Sequence, residues 1–344
     1  MSLNGLEFIR RFEEYCPLEL AEEGDPVGLH IGQLDREMER VMFTLDVRPE
    51  TVAEAIENKI DLIVAKHPPI FRPISRLDYD DAQTKMYADC IKHDIAVYAA
   101  HTNLDIIENG LNDWFCEELG IEEATYLKAT HNVAYHEVAL HIDPKNKVSL
   151  LTYLAELTTE TISEETPEYN KTVITFPVVE TEITKMRNSL EDISEEIPME
   201  QQWKPLHNKV KTFGIGRIGD LSEPIMMEKF ISQIKETFNL DGLRLVCSNP
   251  DQAIQRVAIC GGSGEKFYRD ALAKDADVYL TGDVYYHTGH DMLTAELPVI
   301  DPGHHIEVLC QPRLLSLANE WKEVYNWDIE FSQSLTNTNP FKYY

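Results

Sequence analysis

The chain has 344 residues, 43% of them hydrophobic, and a formal net charge of −29. That length implies more than one domain, and the composition is that of a soluble globular protein. The acidity excludes nucleic acid and anionic membrane surfaces as partners, since both need a basic face. It suits a protein that stays dispersed or gathers cations.

The opening stretch, "MSLNGLEFIRRFEEY", reads as an amphipathic helix with Leu6, Ile9 and Phe12 inward. Its early charges do not suit a signal peptide. No window reaches the roughly 18 apolar residues of a membrane span. The six cysteines, Cys16, Cys90, Cys116, Cys247, Cys260 and Cys310, form no CxxC pair. Reduced thiols in a cytoplasmic protein are expected.

"RVMFTLDV" is a strand ending near Asp46, and "PETVAEAIENK" a helix with Pro49 in its first turn. "DLIVA" is a strand, "DAQTKMYADCIKHD" a helix, and "IAVYAA" a strand running into "HTNLD". "NGLNDWFCEELG" is a helix closed by Gly120. Short apolar strands separated by helices mean parallel βαβ units. The same pattern returns in "RVAIC" before "GGSG", "ADVYL" before "TGDVYYH", and "PVI" before "DPGHHIEV". "HIEVLCQPRLLSLANEW" is a helix expected to kink or break at Pro312.

The middle differs. Residues 151–200 hold twelve Asp or Glu and three Lys or Arg. "VAYHEVALHI" and "KTVITFPVV" read as strands, and "NKVSLLTYLAEL" and "EITKMRNSLEDI" as helices. This order predicts a small α+β insert, residues 131–211, of ferredoxin-like kind. Residues 1–130 and 212–344 then form the α/β core. One continuous sheet is the competing reading.

In open parallel sheets, function gathers beyond the carboxyl ends of the strands. Those ends carry Lys66 and His67, His101 and Asp105, Gly261 to Gly264, Asp283 and His287, and Asp301, His304, His305 and Glu307. Imidazole with carboxylate suits zinc, manganese, iron or nickel. His67, Asp105, His304 and Glu307 are the candidate ligands. His304 and Glu307 lie three apart at a helix start and share a face; His305 and Glu307 do not. A bridging carboxylate would allow two ions. Each motif has a plainer reading: "HP" as a structural turn, Asp105 as a helix cap, "GGSG" as a tight turn rather than a phosphate cradle. Asp283, His287 and His290 are candidates for acid–base or supporting roles around the metal, or for histidines at an oligomer contact.

The ordered set "AKHPPIF", "YAAHTNLD", "FGIGRIG", "GGSG", "DVYLTGDVYYHTGHD" and "DPGHHIE" resembles the NIF-three-like proteins, called GTP cyclohydrolase 1 type 2 homologues. The middle is similar to the insert of the longer bacterial members. The resemblance implies a two-lobed core with mainly parallel strands, a PII- or CutA-like insert, and a toroidal homohexamer. It also implies a dinuclear metal centre, with ligands at the positions of Lys66, His67, Asp105, His304 and Glu307. Lys66 departs from the family's pair of histidines, because an ammonium has no lone pair to offer. Three outcomes stay open. Lys66 is a fixed charge beside one ion, it is depressed in pKa or carbamylated and ligates, or two ions bind with one ligand missing.

Two functions compete. One is a metal-dependent hydrolase acting on a purine nucleotide or another small heterocycle, with His101, His287 or His290 moving protons. Arg72, Arg217 and Lys66 are then the nearby cations for a phosphate. The other is a non-enzymatic metal-binding regulatory or scaffold ring.

Overall fold

The computed structural model describes residues 3–165 and 171–342. The chain divides into two compact units, Met1–Thr130 with Gly214–Tyr344, and His131–Phe213. Two long strands, Ile121–Ile142 and Met199–Met226, each contribute one part to either unit.

The first unit contains a five-stranded sheet ordered Glu330–Gln333, Arg40–Thr44, Leu62–Ala65, Ala96–Ala99, Gly28–Ile31. The first four strands run parallel and Gly28–Ile31 pairs antiparallel at one edge. Every residue of Leu62–Ala65 and Ala96–Ala99 is buried. Strands buried on both faces are continuously apolar rather than alternating, as these are. The helix Pro49–Glu57 connects Arg40–Thr44 to Leu62–Ala65, and Ala82–Lys92 connects Leu62–Ala65 to Ala96–Ala99. Pro49 sits at the first turn, where its missing N–H costs nothing. Asp81 caps the second helix by accepting from Thr84 N–H at 2.8 Å. Leu111–Leu119 stops at Gly120, which takes the left-handed conformation (φ 69°).

A second group of strands pairs Arg244–Val246, Val299–Asp301, Val278–Leu280, Ala253–Ile259 and the Gly214-containing part of Met199–Met226 in that order. Its middle three strands are parallel. The strand ends of both groups carry the site described below.

Two local expectations need correction. In the helix Gly5–Tyr15, Leu6 is 51% exposed, while Phe8, Ile9 and Phe12 are buried. Phe8 packs its ring against Phe331 and Trp327, which gives the inward stripe an aromatic anchor. Pro312 does not kink a helix. His304–Leu309 forms a 3₁₀ turn and the α-helix Cys310–Tyr325 begins after it. Pro312 therefore lies in a first turn, where no intrahelical donor is lost.

In the second unit, Tyr135–Ile142 pairs antiparallel with Thr172–Val179, and Ser163–Glu165 pairs on the latter's other side. Val138, Leu140 and Ile142 alternate inward, as do Ile174, Phe176 and Val178. The helices Lys147–Leu157 and Ile183–Asp192 bring Leu150, Leu154, Met186 and Leu190 to the same core. Among the described residues, no helix is long and apolar enough to cross a membrane. All six cysteines are free; five are buried and Cys247 is half-buried.

Candidate metal centre

The ladder of the strand Leu62–Ala65 runs two residues past its end. Lys66 N–H donates to Thr44 O at 3.0 Å and His67 N–H to Leu45 O at 2.9 Å. The neighbouring strand thus fixes both residues before Pro68 and Pro69 stiffen the exit. Lys66 is 1% exposed, whereas His67 keeps 21% of its side chain open to a cleft.

Two imidazoles and a carboxylate meet at the cleft floor. His67 Nε2 lies 2.8 Å from Glu307 Oε2 and 3.2 Å from His304 Nε2. His304 Nε2 lies 3.3 Å from Glu307 Oε2. The opposite nitrogens are tied back. His67 Nδ1 is 2.7 Å from Asp46 Oδ1, and His304 Nδ1 is 2.7 Å from Asp283 Oδ2. An ionised carboxylate only accepts, so each Nδ1 carries a proton and donates it. The two Nε2 atoms are left facing each other and an acid, an arrangement that needs positive charge among them. Protons are one source of that charge. Burial pulls the His304 pKa down, but Asp283 and Glu307 outweigh it and lift it to about 10. His67 is likewise raised, by Asp46 and Glu307 against the effect of burial. A divalent ion would displace such protons. The ligand atoms of His67, His304 and Glu307 lie within 4.8 Å of one another, the reach of a single ion. Histidines oriented by carboxylates behind them are the usual support of metal ligands.

Asp105 stands to one side of this trio. Its Oδ2 accepts from Lys66 Nζ at 3.1 Å, and Lys66 Nζ is 3.9 Å from Glu307 Oε2. Burial would strip the Lys66 proton, but Asp105 and Glu307 reverse this and raise its pKa. Glu307 is also buried, yet Lys66, His304 and His67 hold it well below the usual carboxylate range. Asp105 moves up, because burial outweighs the pull of Lys66. Its Oδ1 is buried with no hydrogen-bond partner. An unpaired buried acceptor beside a second buried acid fits a cation site. Asp105 lies inside the short helix Thr102–Ile106, and Gly110 precedes the next helix, so Asp105 is not its cap.

The "GGSG" turn closes the floor. Gly262 is left-handed (φ 62°), and a Cβ there would stand 2.8 Å from Glu307 Oε1 and 3.4 Å from His304 Nε2. Gly261 N–H is taken by Asn112 Oδ1 and Gly264 N–H by Thr281 Oγ1, each at 3.0 Å. Those two donors are spent within the protein, and the turn packs closely against Glu307. Gly262→Ala should cost about 1–2 kcal/mol in backbone strain and displace the Glu307 carboxylate. Weaker zinc binding by the folded variant, read by calorimetry, checks this.

Asp283 is held left-handed (φ 55°), a conformation aspartate tolerates better than most residues. His287 and His290 lie exposed on the helix Tyr286–Thr294, with ring edges on Tyr286. They are outside the trio. His305 faces the cleft beside His304. Arg217 is buried and bound to Asp113 and to the Ile107 carbonyl, so it is not free for a phosphate. Arg72 is exposed.

His101 comes close, its ring centre 5.9 Å from that of His67. Sequence reasoning missed its partner. Asp25 Oδ1 lies 2.7 Å from His101 Nδ1, and Asp25 Oδ2 accepts from Thr102 N–H at 3.1 Å. Burial would raise the Asp25 pKa, but His101 and Thr102 hold it at about 2. Folding therefore favours the ionised form. That contribution is complete above the ordinary value of 3.8 and disappears as pH falls through about 2. The stability gap between the wild type and Asp25→Asn, measured by denaturant titration, should close over that descent. Asp46 was missed too, although it lies two residues past the strand Arg40–Thr44, at a strand end like the others.

The fold and site define an α/β protein with a candidate two-histidine, one-carboxylate centre at its strand ends. A family model described as Duf34/NIF3 (NGG1p interacting factor 3) matches residues 3–340, and the chain belongs to that family. It is 42% identical over 338 residues to the "GTP cyclohydrolase 1 type 2 homolog" of Streptococcus pneumoniae, covering 97% of each chain. The protein of that name from Listeria innocua is 36% identical over 370 residues, with 99% of each covered. The crystal structure of a Bacillus cereus protein related to NIF3 superposes with a TM-score of 0.87 at 30% identity, covering 100% of both chains.

Proposed function

We propose that the protein binds one divalent metal ion through His67 Nε2, His304 Nε2 and Glu307 and acts as a metal-dependent hydrolase. One observation carries this reading: two imidazole nitrogens 3.2 Å apart converge on one carboxylate, each imidazole fixed from behind by an aspartate. Bound there, a divalent ion supplies Lewis acidity towards a carbonyl or phosphoryl oxygen and acidifies water. Asp46 and Asp283 orient the imidazoles. His101, held by Asp25 and with its ring centre 5.9 Å from that of His67, would take the proton.

The cleft has a volume of about 730 Å³, and Arg48 lines it together with Asp46, Glu50 and Asp283. The relatives' name points to GTP. With three carboxylates and one guanidinium in its lining, the cleft favours a smaller heterocycle with no more than one anionic group. The decisive experiment measures zinc and manganese content beside turnover on a panel of nucleotides and heterocyclic amides. If metal is retained but Glu307→Gln leaves every turnover unchanged, the hydrolase reading fails and a non-enzymatic metal-binding role takes its place. Asp283→Asn should weaken zinc binding by about 10–100-fold, because the amide no longer fixes the His304 tautomer.

The same reading takes the core as two-lobed, the acidic middle as a PII- or CutA-like module, and the assembly as a ring of six. Tyr285 and Tyr286, 69% and 76% exposed on one helix start, support an interface on that face. A monomer mass in light scattering would remove the ring.

A further inference from the structure

We propose that Lys66 fills a second cation position in this site, so that the chain holds one divalent ion and not two. The inference rests on the metal-site reading above. Glu307 Oε2 is shared: it faces His67 at 2.8 Å and His304 at 3.3 Å on one side, and Lys66 Nζ at 3.9 Å on the other. On that other side Asp105 adds a second carboxylate, with Oδ2 at 3.1 Å from Nζ and Oδ1 unpaired. A bridging acid next to a second acid with a free oxygen is what a second dication would require.

The lysine ammonium stands in that place instead. It has three donors and no lone pair, so it cannot ligate. Its side chain is 1% exposed and cannot swing out to solvent without opening the core. Charge makes the same point. With Lys66, Asp105 and Glu307 ionised, one dication leaves a single surplus positive charge; a second would leave three in a buried pocket. Lys66 thus does with a covalently held cation what a second ion would do by binding. It neutralises Asp105, sets one side of Glu307, and leaves the other side to the ion.

Native mass spectrometry of the full chain, equilibrated with zinc and then freed of excess, tests this. One zinc per chain is expected for the wild type and two for Lys66→His, whose imidazole restores a lone pair. Two zinc ions per wild-type chain would overturn the proposal and leave the metal-site reading standing. None would overturn both. A mass gain of one carboxyl group on Lys66 would also overturn it, since a carbamate would ligate. Should Lys66→His not fold, the manganese-loaded wild type decides alone by electron paramagnetic resonance. An isolated six-line signal supports the proposal, and an exchange-coupled pair refutes it.

Discussion

Lys66→Met is expected to destabilise the metal-free protein by about 3–5 kcal/mol, the cost of removing one partner from a buried charge cluster. The methionine fills much of the lysine's volume, so the loss reports charge rather than a cavity. Asp105 and Glu307, 7% and 1% exposed, would then face each other without the ammonium now 3.1 and 3.9 Å away. Burial and mutual repulsion would then raise their carboxyl pKa above the unfolded value, so protonation relieves them. The deficit should therefore shrink as pH falls from about 8 to about 5. Urea denaturation in the presence of chelator, at both pH values, measures it. A deficit that is small and independent of pH would mean that Lys66 is not the counter-ion of these acids. Zinc should recover part of the loss, since a dication can take over the vacated charge.

Glu307→Gln is expected to weaken zinc binding by at least about 100-fold, because even the groups behind metal ligands are worth about 10–100-fold. Glutamine keeps the shape and removes the charge on which His67, His304 and Lys66 all converge. Its amide also brings a donor towards the two Nε2 atoms in place of the carboxylate that attracts a cation. The fold should survive, because Lys66 retains its hydrogen bond to Asp105. Competition titration against a chromophoric chelator gives the affinity, and circular dichroism the fold. Unchanged affinity would remove Glu307 from the ligand set and with it the proposed site.

What was legible in the sequence was the place. Apolar strands that end in His, Asp or Gly announce a cleft at their carboxyl ends, and His67, Asp283, His304 and Glu307 are found together there. The three-residue spacing of His304 and Glu307 was readable as a shared face, although the turn that realises it is 3₁₀ rather than α. Side-chain pairing was not legible. Whether Asp105 meets an ion or an ammonium depends on how Lys66 packs, and nothing in "AKHPP" encodes that. Asp25 and Asp46 sit 76 and 21 residues from the histidines they hold, too far for any local pattern to link them. In the first helix Ile9 and Phe12 face inward as expected, and only Leu6 gives way to Phe8, because both are apolar and the position of Phe331 and Trp327 decides between them.

The trio at the cleft floor also bears on how the protein comes to be made. His67 is separated from His304 by 237 residues and from Glu307 by 240. A zinc finger captures its ion while the chain collapses, since its ligands are near neighbours in sequence. Here the three groups come together only through contacts of long sequence separation. The loop between them must close first, and two sets of strands must pair on the way. The proposed ion therefore cannot serve as a nucleus. It meets a finished fold, and in the interval Lys66 keeps the buried acids neutralised without waiting for metal supply.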